Sequence, residues 1–316
     1  MRLVFMGTPD FASASLEALL RSDDPVVGIV TQPDRPKGRG HILTPSPVKL
    51  LAQRAQIPLL QPLKMKDPEF LHTLAGWKPD LIVVSAFGRI LPPAILSLPP
   101  RGCINVHGSL LPKYRGAGPI QWAIMNGEKK TGITTMLMDA GMDTGAMLLQ
   151  EAIPIMPDDT AGTLSPRLAE LGGKLLAETI AQLKAGTLVP QPQDASQATL
   201  APLLTKEDGA IDWTLPAMVL ANRVRGLSPW PGAYTTVAGG DRWAIWQASA
   251  LPSHLTQPAG TVIAVTTEAI HVATGDGVLA VMELQPANSR RMAVSQYLSG
   301  HPVTIGLQLG REPALS

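Results

Sequence analysis

Cysteine is nearly absent: Cys103 is the only one in 316 residues. That excludes an intramolecular disulfide and a cysteine-built metal site. Long apolar runs are also missing, and none approaches the length a helix needs to cross a bilayer, so no membrane protein is expected. The apolar stretch Leu3 to Met6 is too short for a leader peptide and is broken at once by Gly7-Thr8-Pro9-Asp10. Neither sign of charge dominates, with 26 basic against 25 acidic residues and a net charge of +1. Residues 1–205 carry 19 basic and 17 acidic side chains and residues 206–316 carry 7 and 8, so any nucleic-acid contact must rest on local patches. There is no internal repeat, no Walker loop, no H-E-x-x-H and no G-x-S-x-G. A cytoplasmic enzyme is the class these absences leave.

Hydrophobic residues make up 45% and charged residues 16%, a globular composition at a length that suits two domains. In the first half, apolar runs at Leu3–Met6, Val26–Val30, Leu81–Val84, Cys103–Val106 and Gly132–Met138 alternate with helical stretches such as 11–20, 48–55 and 119–125. Apolar strands separated by helices predict βαβ units and a doubly wound, mainly parallel α/β sheet. Leu164, Leu168, Leu171, Leu175 and Ile180 predict a long closing helix over 163–183. The segment 189–204 holds Pro190, Pro192 and Pro202 among Gln, Ser and Ala and reads as a linker. Beyond it, one helix over 215–225 and several short strands predict a small β-barrel, with Trp213, Trp230 and Trp243 in its core. The expected domains are 1–189, a linker 190–205, and 206–316.

Gly7-Thr8-Pro9-Asp10 stands where a dinucleotide fingerprint would, but Pro9 and Ala12 replace two of its glycines, so it reads as a tight strand-to-helix turn. More informative is Cys103-Ile104-Asn105-Val106-His107, because Asn105 and His107 project the same way near a strand end that faces the ligand crevice. An amide donor beside an imidazole suits acyl transfer. The pair alone equally fits an Asn and a His satisfying backbone groups in a turn. Asp139-Ala140-Gly141-Met142-Asp143-Thr144-Gly145 adds two carboxylates in a glycine-bearing loop, where one carboxylate can orient a histidine and a single one can also form an Asx turn.

The run N-V-H-G-S-L-L-P-K-Y-R-G from Asn105, followed by D-A-G-M-D-T-G from Asp139, resembles the 10-formyltetrahydrofolate-dependent formyltransferases. Phe87-Gly88-Arg89-Ile90-Leu91-Pro92 resembles that family's Y-G-x-I-L-P loop, with Phe87 in place of the usual Tyr. Thr31-Gln32-Pro33-Asp34-Arg35-Pro36-Lys37-Gly38-Arg39-Gly40, Gly118-Pro119-Ile120-Gln121-Trp122-Ala123 and Lys206-Glu207-Asp208-Gly209-Ala210-Ile211-Asp212-Trp213 are similar to stretches of the branch that acts on methionyl-tRNA. The resemblance runs from Gly7 to about Gly310.

This resemblance implies a catalytic trio of Asn105, His107 and Asp143, with no metal and with 10-formyltetrahydrofolate as co-substrate. It implies a folate site of Ser109, Leu110, Leu111, Pro112, Phe87, Gly88, Arg89, Ile90, Leu91 and Asp139. Arg35, Lys37, Arg39, Lys206, Arg223 and Arg225 are the implied contacts to initiator methionyl-tRNA, although the charge run from Arg35 to Arg39 also fits a solvated loop. Lys113 and Arg115 are candidates for phosphate or for the folate tail. The barrel is implied to be of the oligonucleotide-binding type, and a monomer is expected. The alternatives are a glycinamide ribonucleotide formyltransferase, disfavoured by the second domain and the basic loop, a sugar-amine formyltransferase, and an RNA- or folate-binding protein without turnover.

Overall fold

The computed structural model describes residues 1–37, 42–237, 240–253 and 256–310, without the side chains of Lys37 and Ile42. The chain forms two units. The first comprises residues 1–119, 130–154 and 164–202; the second comprises 120–129, 155–163 and 203–316.

Unit 1 contains β1 (Leu3–Gly7), α1 (Asp10–Leu20), β2 (Val26–Val30), β3 (Arg35–Lys37), β4 (Ile42–Thr44), α2 (Pro47–Arg54), β5 (Leu59–Leu60), α3 (Pro68–Gly76), β6 (Leu81–Ser85), α4 (Pro93–Leu96) and β7 (Cys103–His107). The chain continues through α5 (Pro119–Met125), β8 (Lys130–Leu137), β9 (Met147–Pro154) and α6 (Ala161–Ala185). The sheet order is β5-β2-β1-β6-β7-β8-β9, parallel from β5 to β7 and antiparallel at β7/β8 and β8/β9. Every residue of β1 and β6 is buried, as strands covered on both faces require. Strand order reverses beside β1, so the C-terminal ends of β1, β6 and β7 open a crevice there.

Local chemistry sets the helix starts. Ser46 caps α2 by accepting from the Lys49 N–H, and Asp67 caps α3 by accepting from Glu69 and Phe70, each with proline next in sequence. Gly7-Thr8-Pro9 makes a tight strand-to-helix turn, in which a Cβ on Gly7 would lie 2.7 Å from that of Ala12. α6 begins two residues earlier than the leucine spacing predicts. Thr160 and Thr163 cap each other's backbone N–H groups there, and Pro166 lies inside the helix just past its first turn, where it gives no N–H to the helical ladder.

Unit 2 holds α7 (Ala217–Gly226), β10 (Ala233–Thr236), β11 (Arg242–Leu251), β12 (Val262–Val265), β13 (Ile270–Ala273), β14 (Val278–Pro286), β15 (Met292–Ala293) and α8 (Val294–Leu298). Its antiparallel sheet runs β10-β11-β14-β13-β12, with β15 on β14. Residues 307–310 join the two edges. Val262 N–H donates to Leu307 O, Leu309 N–H to Gly260 O and Gly310 N–H to Thr236 O, which closes the sheet into a barrel. Trp213 and Trp243 lie in the barrel core, Trp243 edge-on to Tyr297 at 5.4 Å. Trp230 does not: it is 49% exposed. It sits between Pro229 and Pro231 outside any strand, so no alternation turns it inward. Trp122 and Met125 of α5 pack into the same core.

Candidate active site

β7 carries Asn105 and His107 to the mouth of the crevice, two residues apart and therefore on one face. The loop after β8 brings Asp143 between them. Asn105 Nδ2 donates to Asp143 Oδ1 at 3.3 Å, and His107 Nδ1 lies 3.7 Å from Asp143 Oδ2. Asp143 Oδ2 also accepts from the Gly116 N–H at 2.9 Å. His107 is buried, with Nε2 2.9 Å from the Tyr114 carbonyl oxygen. A carbonyl only accepts, so Nε2 carries a hydrogen and Nδ1 is the nitrogen free to gain or lose one. The Asn105 amide, the His107 ring and the Gly116 N–H thus converge on the Asp143 carboxylate.

The Asp143 loop is built for close approach. Asp139 accepts from Gly141 N–H at 3.0 Å and from the Thr144 hydroxyl at 2.7 Å, an Asx turn that holds the loop. A Cβ on Gly145 would lie 1.8 Å from the Leu137 carbonyl oxygen. Asp143 itself has φ +53°, a left-handed conformation that a non-glycine residue adopts at some cost in energy. Facing it, Gly116 has φ +118° and is pressed against the Ala201 carbonyl, so its bare backbone can reach the carboxylate.

The residues implied for folate binding divide. Ser109 is fully buried and donates to Lys113 O at 2.6 Å, so its hydroxyl shapes the turn. Leu111 is buried too, its N–H on Thr134 Oγ1 and its carbonyl on Gln150 Nε2. Leu110 and Pro112 are half-buried. Phe87 and Leu91 belong to the core beneath the sheet with Val84 and Ile95. The Phe87 ring therefore anchors its loop. Gly88 and Ile90 are exposed on the same loop, Ile90 at 85%, and Arg89 reaches Leu63 O at 3.5 Å.

Of the basic residues, Arg35 is exposed at the base of the β3–β4 hairpin and donates to Gln32 Oε1 at 2.7 Å. Arg39 and the Lys37 side chain lie outside the described residues. Lys206 is exposed. Arg223 donates to Asp208 O at 2.7 Å, and Arg225 to Asp159 O at 2.8 Å and Asn222 Oδ1 at 2.7 Å. Burial pulls the Arg225 guanidinium below its ordinary pKa, against the pull of Asp159 and Asp158. Both arginines brace unit 2.

Several residues around the site carry no motif of their own. Thr134, paired with His107 across β7 and β8, donates to Ser109 O at 2.7 Å. Gln193 binds both the Asp143 loop and Arg115. Thr134 follows from strand alternation on β8; nothing local marks Gln193. Burial pushes the Cys103 thiol up to about 12, so it is no nucleophile. Among the described residues, no three His, Cys, Asp or Glu side chains group to hold a metal ion, and no helix is long and apolar enough to cross a membrane.

Comparison with known proteins shows the family. Residues 1–180 match the model described as formyl transferase, and residues 203–302 match that of the formyl transferase C-terminal domain. A methionyl-tRNA formyltransferase of Trichlorobacter lovleyi is 51% identical over 312 residues, covering 98% of this chain and 96% of the relative. One from Desulfotalea psychrophila is 52% identical over 300 residues, covering 95% and 93%. The N-formyltransferase of Helicobacter canadensis, solved with folinic acid and dTDP-3-aminofucose, shares the fold at TM-score 0.67 and 18% identity, over 92% of this chain and 100% of that one. The chain belongs to the formyl transferase family and, within it, to the methionyl-tRNA formyltransferases.

Proposed function

We propose that the protein transfers the formyl group of 10-formyltetrahydrofolate to the α-amino group of methionine carried by initiator tRNA. The observation that carries the chemistry is the Asp143 carboxylate, shared by the Asn105 amide and the Gly116 N–H and 3.7 Å from the His107 ring. Relatives at about half identity over nearly the whole chain support the acceptor. A fold neighbour that holds folinic acid supports a folate donor.

In this reading the neutral amine attacks the formyl carbon, a C–N bond forms, and the carbonyl electron pair moves onto oxygen. One Asn105 Nδ2 hydrogen is held by Asp143, and the other donates to that oxygen. His107 works through Nδ1. When protonated, Nδ1 donates to the same oxygen, with Asp143 stabilising the imidazolium. Collapse of the intermediate breaks the bond to the folate nitrogen, which takes a proton from Nδ1. The proton lost by the attacking amine passes to Asp143, directly or through water, and from there restores His107. The amine is itself a competent nucleophile, so no covalent enzyme intermediate is needed.

The folate is expected beside the exposed backbone of Gly88 to Ile90 and the half-buried Leu110 and Pro112, and RNA phosphates beside Arg35 and Lys206. The test is transfer of labelled formyl, offering initiator Met-tRNA, elongator Met-tRNA and glycinamide ribonucleotide side by side. Label only on initiator Met-tRNA is the expected result. Label on the small amine instead would leave the Asn105–His107–Asp143 chemistry standing and overturn the acceptor.

A further inference from the structure

Residues 190–202 are fastened along unit 1. Met147 and Gln191 exchange both backbone hydrogen bonds, Arg115 N–H donates to Thr199 O, Ala201 N–H donates to Arg115 O, and Tyr114 N–H donates to Thr199 Oγ1. Gln193 occupies the middle of this strap. Its Nε2 donates to Asp143 O and to Gly145 O, both at 2.8 Å. Its Oε1 accepts from Arg115 Nε at 3.0 Å and Nη2 at 2.8 Å. Both amide hydrogens and both lone pairs are used, so the side chain is fixed in one orientation.

The two loops it joins are the two that build the site. One supplies the Tyr114 carbonyl to His107 and the Gly116 N–H to the Asp143 carboxylate. The other is the loop of Asp143, whose φ of +53° must be held from outside. The carbonyls that Gln193 binds are those of Asp143 itself and of Gly145, two residues on. We propose that Gln193 is a positioning residue for the formyl transfer: by gripping these carbonyls it fixes the Asp143 carboxylate between Asn105 and His107. The inference rests on the proposed reaction for its kinetic meaning and on geometry alone for its structural one.

Two substitutions separate the halves of the contact. Gln193→Glu keeps an acceptor for Arg115 but cannot donate to the carbonyls. Gln193→Met removes all four hydrogen bonds at nearly constant shape. Both are expected to lower kcat about ten- to a hundredfold, through loss of the two hydrogen bonds to the loop carbonyls that both variants share, with KM for the folate and the acceptor little changed. Gln193→Glu should lose at least as much as Gln193→Met, because its carboxylate faces two carbonyl oxygens. In an Asp143→Asn background either substitution should add little.

A second readout needs no acceptor. At fixed pH the ring nitrogen resonances of His107, assigned with a His107→Asn variant, should shift in Gln193→Glu in the same direction as in Asp143→Asn. If the wild-type protein formylates none of the acceptors, the proposed reaction fails while the resonances still decide the role of Gln193. Loss in Gln193→Met alone would assign the effect to Arg115 and overturn the proposal. So would fully additive losses, or His107 resonances unmoved in Gln193→Glu.

Discussion

Asn105 has two amide hydrogens, and Asp143 holds one of them at 3.3 Å. In the proposed reaction the second is the donor to the oxygen of the formyl group. A single donor to a developing oxyanion is worth about a hundred- to a thousandfold in rate. Asn105→Ala should therefore lose about that much kcat while its melting temperature stays near wild type, since the side chain is only half-buried. A variant with near-normal kcat would remove Asn105 from the chemistry. At this scale much was legible in the sequence. The two-residue spacing of Asn105 and His107 at a strand end and the glycine-bearing loop of Asp143 made them candidates, and the family resemblance joined them into a trio; the structure brings the three side chains together. Gln193 did not, because an amide that bonds two backbone carbonyls 48 and 50 residues away leaves no local pattern. Arg223 and Arg225 show a related limit: a basic side chain in a sequence does not reveal the bonds it makes to its own protein's carbonyls.

The elements that hold the site differ in how plainly they can be read. β1 and β6 are apolar up to their last residues because both their faces are covered, β7 sets Asn105 and His107 into the same kind of run, and the bounds of all three match the apolar runs to within a residue or two. β9 is exposed at four of its eight residues, as an edge strand can be, and β5 has two residues, so neither leaves a run to detect. The proline-rich stretch after α6 has a linker's composition, yet its backbone bonds to Met147 and Arg115 are long-range and invisible to composition. The loop from β8 to β9 is the element on which the site depends most. Gly145→Ala would force a Cβ against the Leu137 carbonyl oxygen. We expect a cost of about 1–3 kcal/mol, read as a lower melting temperature, together with reduced kcat as the Asp143 loop shifts. Unchanged melting and activity would show that the loop has slack.

At the scale of the molecule, the α/β sheet and the β-barrel were both foreseeable from the change in strand spacing along the chain. The interleaving was not: residues 120–129 and 155–163 belong to unit 2 although they precede the proline-rich stretch that reads as a linker. Global stability should carry a pH signature from Asp24 in unit 1. Burial alone would raise its pKa, but hydrogen bonds from the Met1 amino group and Lys184 outweigh that and hold the carboxyl below its ordinary value. A depressed folded-state pKa contributes stability above the unfolded value of about 3.9 that is lost as pH falls through the folded one. Asp24→Asn should accordingly melt lower than wild type at neutral pH, and the gap should close in acid below the carboxylate range. A gap that is constant with pH would assign the loss to packing. The central claim, that one carboxylate organises formyl transfer, is tested most directly by single-turnover transfer to initiator Met-tRNA with Asp143→Asn. The substitution keeps an oxygen for the Gly116 N–H and removes the charge that stabilises His107. A rate reduced about 10³- to 10⁴-fold with folding intact is the predicted result; a rate within a few-fold of wild type would contradict the account.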